Sequence, residues 1–341
     1  SLPGWNYSTY FCLKESLAFV YAQAYLPQEA LRQYDELEAT YFELSNADGT
    51  ITGLQDSPML ADRVPSPHLL DLSHKPYRDL IATNKASLFD FRHYLFARQC
   101  HFLMQLGRTV RLIDRAASFI VTIVNMGVRH VAAGHVPQEV LNEWVFCACM
   151  DMVEVCQQSG LGFGAGSMSD AVDGPRADAV TRSRTLGELL LLARQHLSRV
   201  LTGAGVLDGT GNPLGAPSPA VKLAPAAMIH PHSASALALR TALDSQDDAE
   251  NLFLRVTGLA AMHLQHGERF RYAQILETDR ARLLMRRGQH KDALPLLRAQ
   301  VSRFRAEGWE MLFCQSVSLI AECERTLAYR ADFVRSCLEL L

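Results

Sequence analysis

A glycine-rich stretch at residues 160–166, Gly-Leu-Gly-Phe-Gly-Ala-Gly, is the part of this sequence that most resembles a phosphate-binding loop. Backbone N–H groups of such a loop bind phosphate where a strand precedes the glycines and a helix opens directly after them. Here a predicted helix precedes the glycines, a stretch rich in Ser, Asp and Gly follows them, and the lysine of a Walker-type motif is missing. The sequence therefore favours a flexible linker over a nucleotide site.

Cys147 and Cys149, with Cys156 nearby, carry thiols that could bind zinc or form a redox pair. Zinc sites usually take cysteine pairs two to four residues apart in loops, with a second pair of ligands to complete the tetrahedron. On a helix, Cys147 and Cys149 point about 200° apart, so they cannot both face one ion. The eight cysteines lie in apolar helical stretches without the spacing of a disulfide framework. Buried free thiols in a reducing compartment are the favoured interpretation.

Two histidine pairs could also bind a metal: His263 and His266 share one helix face, and His230 and His232 flank a proline. Neither pair has a clear carboxylate or thiolate as third ligand, so packing or surface positions are the favoured interpretation. The sequence also lacks a nucleophile elbow, a Ser/His/Asp grouping and a paired general acid and base. We predict that the chain is not an enzyme and has no catalytic residue, cofactor or metal.

The strongest basic cluster lies near the end of one predicted helix. Its members are Arg280, Arg282, Arg286, Arg287, His290 and Lys291. Positive charge is favoured at a helix C-terminus, and the neighbouring Glu277 and Asp279 dilute the cluster, so a solvated helix face is the favoured interpretation. The alternative is a surface for an acidic partner or lipid headgroups, with Arg286 and Arg287 as the contact residues.

The elements that would position these residues are helices. Along 28–45, the apolar residues recur at steps of four and three, which places them on one helix face. That face carries Ala30, Tyr34, Leu37, Tyr41 and Leu44. The opposite face is polar, and its Glu29, Glu36 and Glu38 form a possible partner surface. Similar periodicity predicts helices near 5–25, 28–45, 88–106, 108–129, 137–158, 180–202, 235–244, 247–266, 268–287, 290–306, 308–327 and 330–341. No convincing strand is predicted.

Three stretches interrupt the helical pattern, at 46–86, 159–178 and 203–234. They are rich in glycine, proline and polar residues and offer little apolar surface to offset the entropy of ordering. We predict long disordered loops there, with room for short helical turns in the first two. The third stretch is the predicted linker between a front helical module, residues 1–202, and a rear module, residues 235–341.

A repeated pattern at the helix turns predicts how the helices stack. Gly288 and Ala293 match the centre of a tetratricopeptide-like helix pair, where the glycine ends one helix and the alanine lets two backbones approach. Ala30, followed by Tyr34, repeats the pattern with proline at the turn. Trp5, Trp144 and Trp309 are expected to anchor helix packing. The predicted fold is all-α, an α-solenoid of stacked antiparallel helical hairpins.

Charge and hydropathy exclude some classes of function. The formal net charge of −3 over 341 residues gives no long-range attraction to nucleic acid. No apolar run approaches the length needed to span a bilayer, so direct membrane insertion is not expected. The chain lacks an initiator methionine, and we expect it to be an excerpt of a longer protein.

Several long strings, in order along the chain, resemble the large-subunit family of the transport protein particle (TRAPP) II complex that is called subunit 10 in animals. The strings are PGWN at 3–6, LKESLAFVY at 13–21, ALRQYDELEA at 30–39, FDFRHYLFARQC at 89–100, PQEVLNEWVFCACMDMV at 137–153, ERFRYAQILETDRARLL at 268–284 and AEGWEMLFCQSVSLIAECERTL at 306–327. The strings total 91 of the 341 residues, are spread between residues 3 and 327, and none is a catalytic signature. The three interrupting stretches do not resemble the family.

The resemblance implies a cytoplasmic scaffold that lies peripherally at the Golgi and trans-Golgi network. It implies other TRAPP subunits as partners and a Rab GTPase reached through the complex, which tethers vesicles and promotes guanine-nucleotide exchange. One alternative is a tetratricopeptide-like, peptide-binding adaptor unrelated to TRAPP. A helical enzyme that uses the glycine-rich stretch or a Cys/His metal site is a third hypothesis.

Overall fold

The computed structural model describes residues 7–48, 68–160, 175–205 and 233–341. Within these ranges it contains thirteen helices and no strand. The helices are α1 (Tyr7–Gln23), α2 (Pro27–Asp48), α3 (Tyr77–Ala82), α4 (Leu88–Gln105), α5 (Thr109–Ala132), α6 (Gln138–Gly160), α7 (Pro175–Gly203), α8 (Ala234–Asp244), α9 (Gln246–His266), α10 (Phe270–Arg286), α11 (His290–Ala306), α12 (Glu310–Thr326) and α13 (Arg330–Glu339). The prediction of an all-α fold is confirmed.

Local sequence explains where several helices begin and end. The Ser87 hydroxyl accepts from the Asp90 N–H at 3.0 Å, and the Asp90 carboxylate accepts from the Ser87 N–H, so a capping box starts α4. Pro27 is the first residue of α2, a position where its missing N–H costs no hydrogen bond. Gly288 ends the α10 segment with a φ of +74°, a conformation that glycine adopts without steric cost.

Each helix packs mainly on the helices that precede and follow it, which is the arrangement of a helical solenoid. Helix α4 lies between α2 and α5, as expected for a helix that is apolar on most sides. Helix α7 packs against α5, α6 and α9, and α8 packs against α6 and α9. Helices α10 to α13 continue the stack as successive antiparallel neighbours.

One large hydrophobic core runs from Tyr7 on α1 to Leu283 on α10, and a smaller cluster joins α10, α11 and α12. The helices on both sides of residues 206–232 contribute to the large core. Residues 206–232 lie outside the described part of the chain, so the proposed linker at 203–234 and the division into front and rear modules stay predictions.

Helices occupy part of two of the predicted loops. Helix α2 extends to Asp48 and α3 occupies residues 77–82 inside the predicted loop 46–86, while α7 begins at Pro175 inside the predicted loop 159–178. Helix α3 forms because Tyr77 and Ile81, one turn apart, are both buried against neighbouring helices. The remaining parts of these loops, residues 49–67 and 161–174, lie outside the described residues, as do most of the glycine-rich stretch and His230 and His232.

Candidate partner-binding surfaces

The described residues singled out for metal or redox chemistry lie apart from one another. Cys147 and Cys149 are free and buried on α6, where burial raises the pKa of both thiols. His263 is half-buried on α9, where neither of its ring nitrogens has a hydrogen-bond partner among the described residues, and His266 is exposed. Across the described ranges, no three His, Cys, Asp or Glu side chains are grouped so that they could hold a metal ion.

A groove of about 690 Å³ lies between α2 and α5, with α4 as its floor. Arg92, Phe96, Gln99 and Leu103 follow one face of α4 along this floor. Phe96 stacks on Phe119 of α5 with ring centroids 4.1 Å apart, so part of the floor is a flat aromatic surface. We refer to this feature as the α4 groove.

An ion-pair network crosses the α4 groove near its middle. Arg115 on α5 donates to Asp35 and Glu38 on α2, at 3.0 Å in each case. Gln99 on the floor donates to Glu38 at 2.9 Å. Burial raises the pKa of Asp35, and the Arg115 charge opposes this shift. The network joins the two walls of the groove through the helix between them.

Arg92, at one end of the α4 groove, has no carboxylate partner among the described residues. Its guanidinium lies 5.0 Å from the centroid of the Phe42 ring, and one terminal nitrogen donates to the Met126 sulfur at 3.6 Å. Its Nε is buried without a hydrogen-bond partner. Burial lowers the pKa of Arg92, because a charged guanidinium is poorly solvated there.

The predicted acidic surface on α2 is divided in the structure. Glu29 and Glu36 are part-exposed and lie 3.3 Å and 3.4 Å from Arg32, and Glu36 also pairs with Lys14 of α1. Glu38 instead points into the α4 groove. The three carboxylates therefore do not form one continuous outer face.

The basic cluster on α10 is largely neutralised by neighbouring acids. The Arg287 guanidinium is mostly buried and lies 3.3 Å from the buried Glu250 carboxylate on α9. Arg286 is exposed and donates to the backbone carbonyl of Arg282 at 3.3 Å. Arg280 lies 2.8 Å from Glu277. Of the two expected contact residues, Arg286 lies on the surface and Arg287 belongs to the α9–α10 contact.

The residues expected to support helix packing lie at helix contacts or turns where the structure describes them. Ala30, Tyr34 and Ala293 have no exposed surface, and Trp144 is 6% exposed. Trp309 is half-buried at the start of α12 and stacks on Phe304, with ring centroids 5.7 Å apart. Gly288 forms the α10–α11 turn described above. Trp5 lies outside the described residues.

Sequence reasoning missed a buried polar cluster on α6 and α4. The Asp151 carboxylate on α6 accepts from the Leu69 N–H at 3.0 Å and from the Ser235 hydroxyl. The Leu69 carbonyl in turn accepts from His93 Nε2 on α4 at 2.6 Å. Burial raises the pKa of Asp151 and lowers that of His93 to about 4. The one available signal was a charged residue inside an otherwise apolar helix segment.

None of the helices in the described part of the chain combines the length and apolarity that crossing a bilayer requires. The stack thus offers extended polar faces, one groove with a charged network and no cluster suited to metal chemistry in the described residues. Such a molecule is suited to contacts with other macromolecules.

Comparison with known proteins identifies the family. Residues 165–341 match the family model described as the TRAPPC10/Trs130 NTS-like domain, which covers about half of the chain. The chain belongs to the TRAPPC10/Trs130 family. This membership argues against the alternative hypothesis of an adaptor unrelated to TRAPP.

Curated relatives of the TRAPPC10/Trs130 family extend the match over nearly the whole chain. The chain is 27% identical to trafficking protein particle complex subunit 10 of Mus musculus, over 98% of this chain and 26% of the mouse protein. It is 35% identical to the Dictyostelium discoideum subunit 10 over 46% of this chain and 11% of that protein. The Arabidopsis thaliana trafficking protein particle complex II-specific subunit 130 homolog is 33% identical over 45% of this chain and 12% of its own length.

The chain therefore covers between 11% and 30% of the length of the curated TRAPPC10/Trs130 relatives described as similar to it. No solved structure matches it at a significant level.

Proposed function

We propose that this chain is a non-catalytic scaffold segment of a TRAPP II subunit. In this role it supports vesicle tethering and Rab guanine-nucleotide exchange at the Golgi and trans-Golgi network. The observation that carries the proposal is membership in the TRAPPC10/Trs130 family. The continuous stack of helices supports it, because an elongated stack presents more surface to neighbours than a compact domain of equal size.

The proposed partners are other TRAPP subunits, with a Rab GTPase reached through the assembled complex. The proposed location is the cytoplasmic side of Golgi membranes, held peripherally by the complex and not by insertion. The net charge of −3 supports protein partners over nucleic acid, because a phosphate backbone is bound chiefly by basic surfaces.

Glu29 and Glu36 on α2 are our candidate contact residues for another TRAPP subunit, with Arg286 on α10 as a second position. Glu38 and Arg287 were also candidates, but Glu38 belongs to the α4 groove network and the Arg287 guanidinium is mostly buried against Glu250, so substituting them would disturb the fold as well as a contact. Glu29 and Glu36 have only part-exposed ion pairs, which contribute little to stability.

The test is co-purification of the tagged full-length protein with the core TRAPP subunits. We expect the unmodified protein to recover the core subunits, and the double variant Glu29→Lys, Glu36→Lys to recover less of them. The control Glu322→Lys makes the same kind of charge change at an exposed position on α12. If the unmodified protein does not associate with core subunits, the proposed function is wrong. If the double variant associates normally, only the α2 contact is wrong.

A further inference from the structure

The α4 groove contains a cation that forms no ion pair with a described residue. Arg92 lies half-buried on the floor of the groove, and its guanidinium contacts the Phe42 ring and the Met126 sulfur instead of a carboxylate. Its Nε has no hydrogen-bond partner in the part of the chain that the structure describes. Removing a guanidinium from water without a charged partner costs free energy, which an incoming anion would recover.

The lining of the α4 groove indicates what the anion should be attached to. Beside Arg92, the wall is formed by Phe42, which is 40% exposed, and the floor continues along α4 to Leu103. The eleven residue steps from Arg92 to Leu103 correspond to about 16 Å of helix. An extended peptide of about five residues covers that length. The aromatic wall offers contact area for an apolar side chain next to the charged one.

The charges around the groove distinguish a carboxylate from a phosphate. Asp35, Glu38 and Asp114 line the same groove as Arg92, together with Arg111 and Arg115, so the six charged side chains sum to zero. Arg115 is already held between Asp35 and Glu38. A phosphate dianion or a nucleic acid carries more negative charge than the Arg92 guanidinium alone can balance, whereas a single carboxylate matches it one for one.

We propose that the α4 groove is a docking site for an extended segment of a partner protein that carries a carboxylate side chain next to an apolar one. The partner's carboxylate binds the Arg92 guanidinium at one end of the groove, and the apolar side chain packs on Phe42. The site is independent of the proposed TRAPP assembly, because it follows from the groove and its unpaired guanidinium alone.

The experiment uses an array of synthetic nonapeptides with one central Glu or Asp flanked by Leu or Phe. A matched array carries Gln or Asn at the central position, and a third carries phosphoserine. We expect the purified 341-residue chain to bind a subset of the carboxylate peptides. The amide peptides should bind at least about tenfold more weakly, because they leave the guanidinium unpaired.

Arg92→Gln should weaken binding of the same peptides by at least about tenfold. The control Arg255→Gln removes an exposed positive charge from α9, far from the groove, and should leave binding unchanged. Ser118→Trp places a bulky side chain in the groove at an exposed position without altering Arg92, and should block binding. If circular dichroism shows that Arg92→Gln does not fold, the Ser118→Trp variant decides the result.

Three outcomes would overturn the proposal. The first is that no carboxylate peptide binds at concentrations up to about 1 mM. The second is that the peptides that bind the unmodified chain bind the Ser118→Trp variant with the same affinity. The third is that the phosphoserine peptides bind more tightly than the carboxylate peptides, which would make the groove a phosphopeptide site instead.

Discussion

His93 shows how a titratable side chain is held neutral inside the stack. Its Nε2–H donates to the Leu69 carbonyl, and its Nδ1 accepts from the Tyr77 hydroxyl at 3.1 Å. The Tyr77 oxygen can in turn accept from His74 Nε2 at 2.8 Å. This arrangement satisfies the neutral imidazole with one donor and one acceptor, and burial disfavours the imidazolium.

We expect acidification to destabilise the protein through His93. Its pKa is lowered to about 4 in the folded protein, against 6.5 in an unfolded chain, so the unfolded chain takes up the proton first as the pH falls. The stabilising contribution is therefore complete above about pH 7 and is lost as the pH falls from 6.5 to 4, by up to about 3 kcal/mol. Urea unfolding of the unmodified chain and of His93→Gln at several pH values measures the difference. Parallel stability curves for the two proteins would contradict this assignment.

Ala328 occupies a backbone conformation that suits glycine better. It lies in the turn between α12 and α13 with a φ of +59°, where Gly288 and Gly308 serve other turns. A left-handed conformation costs an L-residue about 1 kcal/mol through contact between Cβ and the backbone. The sequence could not reveal this position, because the turn residue there is an alanine.

Replacing Ala328 with glycine should therefore stabilise the protein by about 0.5–1 kcal/mol. The matched control is Ala299→Gly, at an exposed position within α11, where glycine should cost about 1 kcal/mol. Chemical denaturation would give both changes in the free energy of unfolding. If Ala328→Gly lowers the free energy of unfolding as Ala299→Gly does, the backbone conformation at residue 328 does not limit stability.

At the scale of single helices, α13 depends on a few polar contacts. Ser336 is its one buried residue, and the hydroxyl donates to the buried Glu324 carboxylate of α12 at 2.7 Å. Arg298 of α11 binds the same carboxylate at 2.7 Å. Three successive helices thus meet at Glu324, which is 1% exposed.

Ser336→Ala should lower the free energy of unfolding by about 1–2 kcal/mol, because it leaves one oxygen of a buried carboxylate without its donor. Hydrogen exchange measured by mass spectrometry should become faster in residues 330–339 and unchanged in α4. Ser318→Ala, at an exposed position on α12, is the control and should have little effect. Unaltered exchange in α13 would mean that the hydroxyl does not anchor the helix.

Much of the helical framework could be predicted from apolar periodicity. In α7, for example, Leu189, Ala193, Leu197 and Val200 were expected on one face and all four are buried. The bounds of helix α3, a short helix inside the stretch at 46–86, could not be predicted because six residues are too few to show a period. The Asp151 cluster could not be predicted, because Asp151 contacts Leu69 and Ser235 across 82 and 84 residues of sequence. The groove around Arg92 could not be predicted either, because its lining comes from three separate helices.

At the scale of the whole molecule, the contact between α7 and α9 joins the helices that precede residues 206–232 to those that follow. Helices α7 and α9 approach so closely near Gly267 that an added Cβ would lie 2.6 Å from the backbone of Arg184. The Arg184 side chain also donates to the Gly267 carbonyl at 3.2 Å. A backbone neighbour cannot move aside as a flexible side chain can, so this contact fixes the distance between the helices.

Gly267→Ala should therefore destabilise the protein by about 1–3 kcal/mol, because the two helices must separate to admit a methyl group. Gly203→Ala, at the end of α7, is the control, since an added Cβ there meets no atom within 4 Å. Thermal unfolding followed by circular dichroism compares the two variants. Equal melting temperatures for Gly267→Ala and the unmodified chain would show that the contact is loose in solution.

The Asp151 carboxylate has a consequence for how the family can vary. Leu69, eight residues before α3, and Ser235, the second residue of α8, are both bound to this one side chain on α6. The positions of these two residues on α6 are thereby set by a local anchor and not by the length of the chain that precedes them. Because lengthening a connection costs little entropy, insertions and deletions before Leu69 or Ser235 should be tolerated among homologues without changing the register of the helices that follow.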